Sequence, residues 1–327
     1  MPQGAIEDAK ARFPLYAGVL LAFMGTAGNA LGVEPFRSLF HIFAWWSYIL
    51  LSDAVVYGLK GESLIVSRTE EFLFLLPWSV FIWFIFELAN VRLGSWGYMF
   101  VPSETELRRA GYYLSGATIL PGLFVTAETL SAIGLFKSSA AAPLRITPRL
   151  LDRLTAAGAA SLALPLLMPR YFFALLWVAF PLLLEPLCYR LRLRSLLRDL
   201  ERGDARRSLR LLASGAAYGL LLGLWNHMSG SKTVYTAPLA GKLELFGTPL
   251  TAYLAFPLLA LGCYAMYNLA TYLRCGRSWE ENAQEPLPGV YPSPRVLLAA
   301  ALALAAVLYL TPPLIDARTV RLYVAGF

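Results

Sequence analysis

The feature that most constrains this chain is a series of apolar runs about 18–25 residues long, the length a helix needs to cross a hydrocarbon core. Charged residues make up only 15% of the chain and gather between the runs. Such a pattern cannot fold as a soluble domain. It predicts an all-α, polytopic transmembrane bundle of about nine helices, a single integral membrane domain over 1–327. The predicted spans are 13–31, 36–59, 72–93, 111–136, 154–168, 171–189, 211–228, 249–273 and 296–310. Only Pro169 and Arg170 separate the fifth from the sixth. The two form a tight hairpin or one broken helix, and the second option would reverse everything before them. The first run follows a polar segment that carries acids and is read as an uncleaved helix, although Gly28 to Ala30 resembles a cleavage site.

Charge sets the orientation. With the N-terminus in the cytoplasm, 19 of the 28 Lys and Arg fall on the inner side and 9 on the outer. The strongest contribution is the stretch RLRLRSLLRDLERGDARRSLR after the sixth run, and such an excess belongs in the cytoplasm. The expected location is the inner (cytoplasmic) membrane. The net charge of +7 is accounted for by these loops, so no nucleic-acid partner is expected. The partner is the lipid bilayer, with a lipid-phase small molecule as a candidate ligand; protein partners are left open. The histidines, His41 and His227, are far apart, and the three cysteines show no C-x-x-C spacing. No metal site and no cofactor are therefore expected. Phosphate loops and hydrolase or metalloprotease motifs are absent.

An internal echo links 72–136 with 211–273. Asn90, then Trp96-Gly97-Tyr98 and Pro102, matches Asn226, then Val234-Tyr235 and Pro238, and Pro121 matches Pro257. Both units run inside to outside and back, as a parallel repeat does.

An ionisable group inside a span is costly and marks a candidate site. Asp53, Glu87 and Glu128 are the candidate acid–base residues. Glu185, near Arg190, reads as structural. Trp83, Asn90, Trp96, Tyr98, Trp225, Asn226, His227 and Tyr235 are candidate substrate contacts, an aromatic and amide set near the outer ends of the third and seventh spans. Aromatic walls suit a polyene or a carbocation through cation–π attraction.

Two segments, WFIFELANVRLGSWGYMFVP (83–102) and WNHMSGSKTVYTAPLAGKLELFGTPLTAYLAFPLLALGCYAMY (225–267), resemble a group of uncharacterised bacterial multi-pass membrane proteins. Trp45-Trp46-Ser47-Tyr48 and Gly61-Glu62-Ser63-Leu64 extend the resemblance. In that group acids often stand at the places of Gly247 and Gly262, which argues against these two positions being catalytic here. The chain is also similar to the membrane-bound lycopene cyclases, small helical proteins with duplicated halves and with paired acids after a proline. Thr248-Pro249-Leu250-Thr251 keeps the proline and lacks the paired acids that would protonate a polyene. Three functions fit these readings: an intramembrane enzyme acting on an isoprenoid or lipid, a small-solute or proton-coupled transporter, and a non-catalytic assembly component.

Overall fold

A computed structural model describes residues 3–237, 243–280 and 291–320. The helices are α1 (Gln3–Ala30), α2 (Phe40–Lys60), α3 (Thr69–Leu93), α4 (Thr105–Gly116), α5 (Ile119–Ala132), α6 (Pro148–Leu167), α7 (Pro169–Phe172), α8 (Leu176–Arg190), α9 (Leu196–Glu201), α10 (Arg206–Met228), α11 (Leu250–Tyr253), α12 (Ala255–Thr271) and α13 (Pro294–Arg318). Two short antiparallel pairs complete the described fold: β1 (Trp96–Met99) with β2 (Lys232–Tyr235), and β3 (Glu244–Leu245) with β4 (Thr248–Pro249).

The chain is a polytopic helical bundle. Among the described residues, eight helical stretches are long and apolar enough to cross a membrane. The remaining predicted span, 111–136, is divided between α4 and α5. The helix breaks at Ala117 and Thr118, where Thr118 N–H turns back to the Ser115 carbonyl (3.0 Å). The α4 part carries Glu106, Arg108 and Arg109, so it is too polar to count as a span alone. α5 is the reverse: its first ten residues, Ile119 to Glu128, are all buried. It is the central helix, packed against α2, α3 and α10.

The fifth and sixth runs are separate helices. α6 and α8 lie side by side, and Asp152 on one meets Arg190 on the other (2.6 Å). The packing leaves no room for a side chain at Gly158, where a Cβ would sit 2.4 Å from the Leu183 amide nitrogen. Small residues allow this backbone approach between membrane helices.

Loop contacts sort the connections into two faces. On one, Gly230 N–H donates to the Arg37 carbonyl, β1 pairs with β2, and Tyr98 N–H donates to the Thr319 carbonyl at the end of α13 (2.9 Å). On the other, Ala141 N–H donates to Gly203 and Leu144 N–H to Leu200 (both 2.9 Å), and Arg194 pairs with Glu280. We call these the strand face and the basic face. The connections share faces as the charge count requires, which fixes the parity of the crossings.

The halves correspond helix by helix at one spacing. Asn90 and Asn226 lie 136 residues apart, as do Pro121 and Pro257. The same shift carries the first residues of α2, β1 and α5 (Phe40, Trp96, Ile119) onto those of α8, β2 and α12 (Leu176, Lys232, Ala255). It carries the break at Thr118 onto the break at Leu254. It also brings α3 over α10 to within one residue at each end, and the end of α1 to within one residue of the end of α6, which starts nine residues later. Pro238, which matches Pro102 at this spacing, lies outside the described residues. α9 and α13 have no counterpart.

The two asparagines do the same work. Asn90 Oδ1 accepts from Ser95 N–H (2.8 Å) and Trp96 N–H (3.2 Å), and its Nδ2 donates to the Trp96 carbonyl (2.9 Å). Asn226 Oδ1 accepts from Thr233 N–H (2.7 Å), and its Nδ2 donates to the Thr233 carbonyl (3.0 Å). Each amide turns the chain from a helix end into a strand and satisfies backbone groups there.

Candidate functional site

Beneath the β1–β2 pair lies a cavity of about 460 Å³, walled mainly by apolar and aromatic side chains. It lies between the halves. His41 and Trp177, Leu93 and Ser229, Trp96 and Lys232, Ser115 and Thr251, and Ile119 and Ala255 are each 136 residues apart, and all of them line it.

Of the residues singled out in the sequence, Trp83, Glu87, Trp96, Tyr98, Asn226 and Tyr235 line this cavity. Glu87 stands on the last turns of α3 and is fully buried. Its Oε1 accepts two hydrogen bonds, from the Tyr98 hydroxyl (2.5 Å) and from Trp96 Nε1 (3.2 Å). Its Oε2 is buried without a hydrogen-bond partner. The strand after Asn90 supplies both donors, so the capping amide and the carboxylate environment are one local construction. Tyr98 lies outside the spans. Its hydroxyl is pushed well above the usual tyrosine range, first by burial and then by the neighbouring Glu87 carboxyl, so it remains a hydrogen-bond donor.

The aromatic wall is continuous beside this carboxyl. Trp83 stacks on Trp96 and Trp96 on Trp177, each with centroids 6.0 Å apart, and Trp177 stacks on Phe86 at 5.5 Å. Four rings from α3, β1 and α8 thus form one surface.

The other predicted residues lie elsewhere or are already occupied. Asn90 and Asn226 use their amides on the strands. Trp225 does not line the cavity; it packs edge-on against Trp45 (4.3 Å), which does. His227 lies beside Phe246, and its carbonyl accepts from Lys232 Nζ (2.7 Å). Asp53 and Glu128 belong to the basic face, not to the cavity. Asp53 Oδ2 accepts from the Ser63 hydroxyl (2.7 Å), and its Oδ1 accepts from Ile65 N–H (2.9 Å). Glu128 is ion-paired with Arg68, both 6% exposed. Glu185 also holds a loop, in the second half, but through one oxygen only; its Oε1 is buried without a hydrogen-bond partner. Its Oε2 accepts from the Ser195 hydroxyl and Leu196 N–H (both 2.8 Å), which holds the start of α9. These acids tie loops to helix ends.

Several cavity residues escaped the sequence reading. His41, at the start of α2, meets Ser115 at the end of α4, with His41 Nε2 3.0 Å from Ser115 Oγ. The Tyr218 hydroxyl is buried beside Thr118 without a hydrogen bond of good geometry. Arg108 and Tyr112 line the cavity, and both bond Asp316 of α13 (2.8 and 2.9 Å). The constant spacing could have exposed His41, since it pairs with Trp177. Among the described residues no group of three His, Cys, Asp or Glu could hold a metal ion. No family model, curated protein or solved structure matches the chain.

Proposed function

We propose that the protein is an intramembrane enzyme of the inner membrane that performs acid–base chemistry on an isoprenoid or other lipid-phase substrate, with Glu87 as its proton-transferring group. One observation carries this reading: a buried carboxyl in an aromatic cavity with both hydrogen-bond donors on one oxygen. Because Trp96 and Tyr98 donate to Oε1, the protonated form of Glu87 carries its proton on Oε2, the oxygen with no protein partner. A proton held there can be given to a substrate double bond or oxygen, or taken back by the carboxylate. The tryptophan wall offers π-faces to positive charge that develops on an apolar skeleton. Asp53 and Glu128 are not needed for this chemistry, since their oxygens already hold Ser63, Ile65 and Arg68.

The test is mass spectrometry of lipid extracts from cells making the protein, the Glu87→Gln variant, or neither. A lipid species that appears only with the unaltered protein supports the reading. Identical profiles for the protein and the variant would sink it. Transport and scaffolding have no comparable support, since the cavity is mainly apolar and its one acid is held by neighbours within its own half.

A further inference from the structure

The cavity is lined by matching positions of the two halves, and at three of these positions the side chains differ in chemistry. His41, Ser115 and Thr118 of the first half correspond to Trp177, Thr251 and Leu254 of the second, and all six line the cavity. On the first-half side these residues form a connected polar patch. His41 Nε2 meets Ser115 Oγ at 3.0 Å, the Thr118 hydroxyl donates to the Ser115 carbonyl (2.7 Å), and the buried Tyr218 hydroxyl lies beside Thr118. The Tyr218 hydroxyl itself has no hydrogen bond of good geometry. The corresponding positions on the other side offer the Trp177 ring, the Thr251 hydroxyl and the Leu254 side chain. A purely structural histidine would need only its one partner. Here the patch faces a cavity, and it keeps hydrogen-bonding capacity after its internal bonds are counted.

The chemistry of that capacity is specific. If Ser115 donates to His41 Nε2, the serine oxygen can accept from a ligand hydroxyl. If His41 donates instead, the serine hydrogen is free for a ligand carbonyl. In both cases the Tyr218 hydroxyl can add a second bond. We infer that the cavity takes an oxygen-bearing lipid-phase molecule, a long-chain alcohol or ketone rather than a pure hydrocarbon, with its oxygen held at the His41–Ser115–Tyr218 patch and its apolar body against the tryptophan wall. This inference rests on the reading that the cavity is a ligand site. It adds the functional group that the ligand carries and the direction in which it lies.

Binding to the purified full-length protein in lipid nanodiscs tests it, read by quenching of tryptophan fluorescence. The probes are geranylgeraniol and the hydrocarbon lacking its hydroxyl. The alcohol should bind about tenfold more tightly, the size of one buried hydrogen bond. Ser115→Ala and His41→Phe should each remove most of that preference while leaving hydrocarbon binding unchanged, which shows that the variants are folded. Equal affinity for the two probes overturns the inference, as does a preference that survives both substitutions. Failure of both probes to bind would overturn the ligand-site reading itself.

Discussion

The two faces of the bundle place their buried carboxyls in different surroundings. At the basic face, Asp53 and Glu185 hold the loop that follows their helix and Glu128 holds a guanidinium; Asp53 uses both oxygens, while Glu185 Oε1 is buried without a hydrogen-bond partner. At the strand face, Glu87 is also buried with both donors on one oxygen, but it lines the aromatic cavity, which Glu185 does not. Burial of an acid within a span therefore does not by itself separate chemistry from architecture. Nor does an unused oxygen: Glu185 has one and fastens a turn, and the distinction lies in the aromatic cavity that Glu87 alone of these four acids lines.

Substitutions at the two faces should divide along this line. Glu87→Gln should lower the rate of product formation about 100-fold or more, the range for losing a general acid, with little change in the thermal midpoint in detergent. A comparable drop in midpoint would erase the contrast between the faces. Arg68→Met should do the reverse. Removing one partner of a buried ion pair costs about 3–5 kcal/mol, read as a lowered midpoint, and product formed per folded molecule should be retained. Asp53→Ala strips acceptors from Ile65 N–H and the Ser63 hydroxyl and should cost about 1–3 kcal/mol; activity lost without destabilisation would move Asp53 into the chemistry. The smallest effect belongs to the solvent-facing end of the basic face. Hydrogen bonds and charge from Arg206 hold the Asp204 carboxyl down at about 2. Any stability this exposed pair adds is therefore present at neutral pH and fades as pH falls from about 4 toward 2. Asp204→Asn should cost less than about 1 kcal/mol at neutral pH and nothing at pH 2, as the melting difference between the two proteins would report.

The spans were legible because hydrocarbon thickness fixes their length, and loop charge grouped together connections that the contacts also bring together. The break between α4 and α5 was hidden. Arg108 and Arg109 look like loop residues until Asp316, more than 200 residues later, is seen to meet both. Glu87 stood out by its depth, and Trp96 and Tyr98 by their place after Asn90. The roles of Asp53 and Glu128 could not be read, because depth alone does not reveal a hydroxyl ten residues on or an arginine sixty residues before. His41 was missed for a related reason. At the first turn of a span an imidazole normally meets headgroups, and only the fold brings Ser115 to it.

The pairing of β1 with β2 also says something about how the molecule is made. Trp96 waits for Tyr235, and Tyr98 N–H waits for the Thr319 carbonyl at the end of α13. As the chain leaves the ribosome, helices can enter the bilayer one after another, but the roof of the cavity has no partner until the second half has been synthesised. The wall near Tyr98 stays open until α13 follows. The pocket thus cannot close before α13 has followed the second half into place.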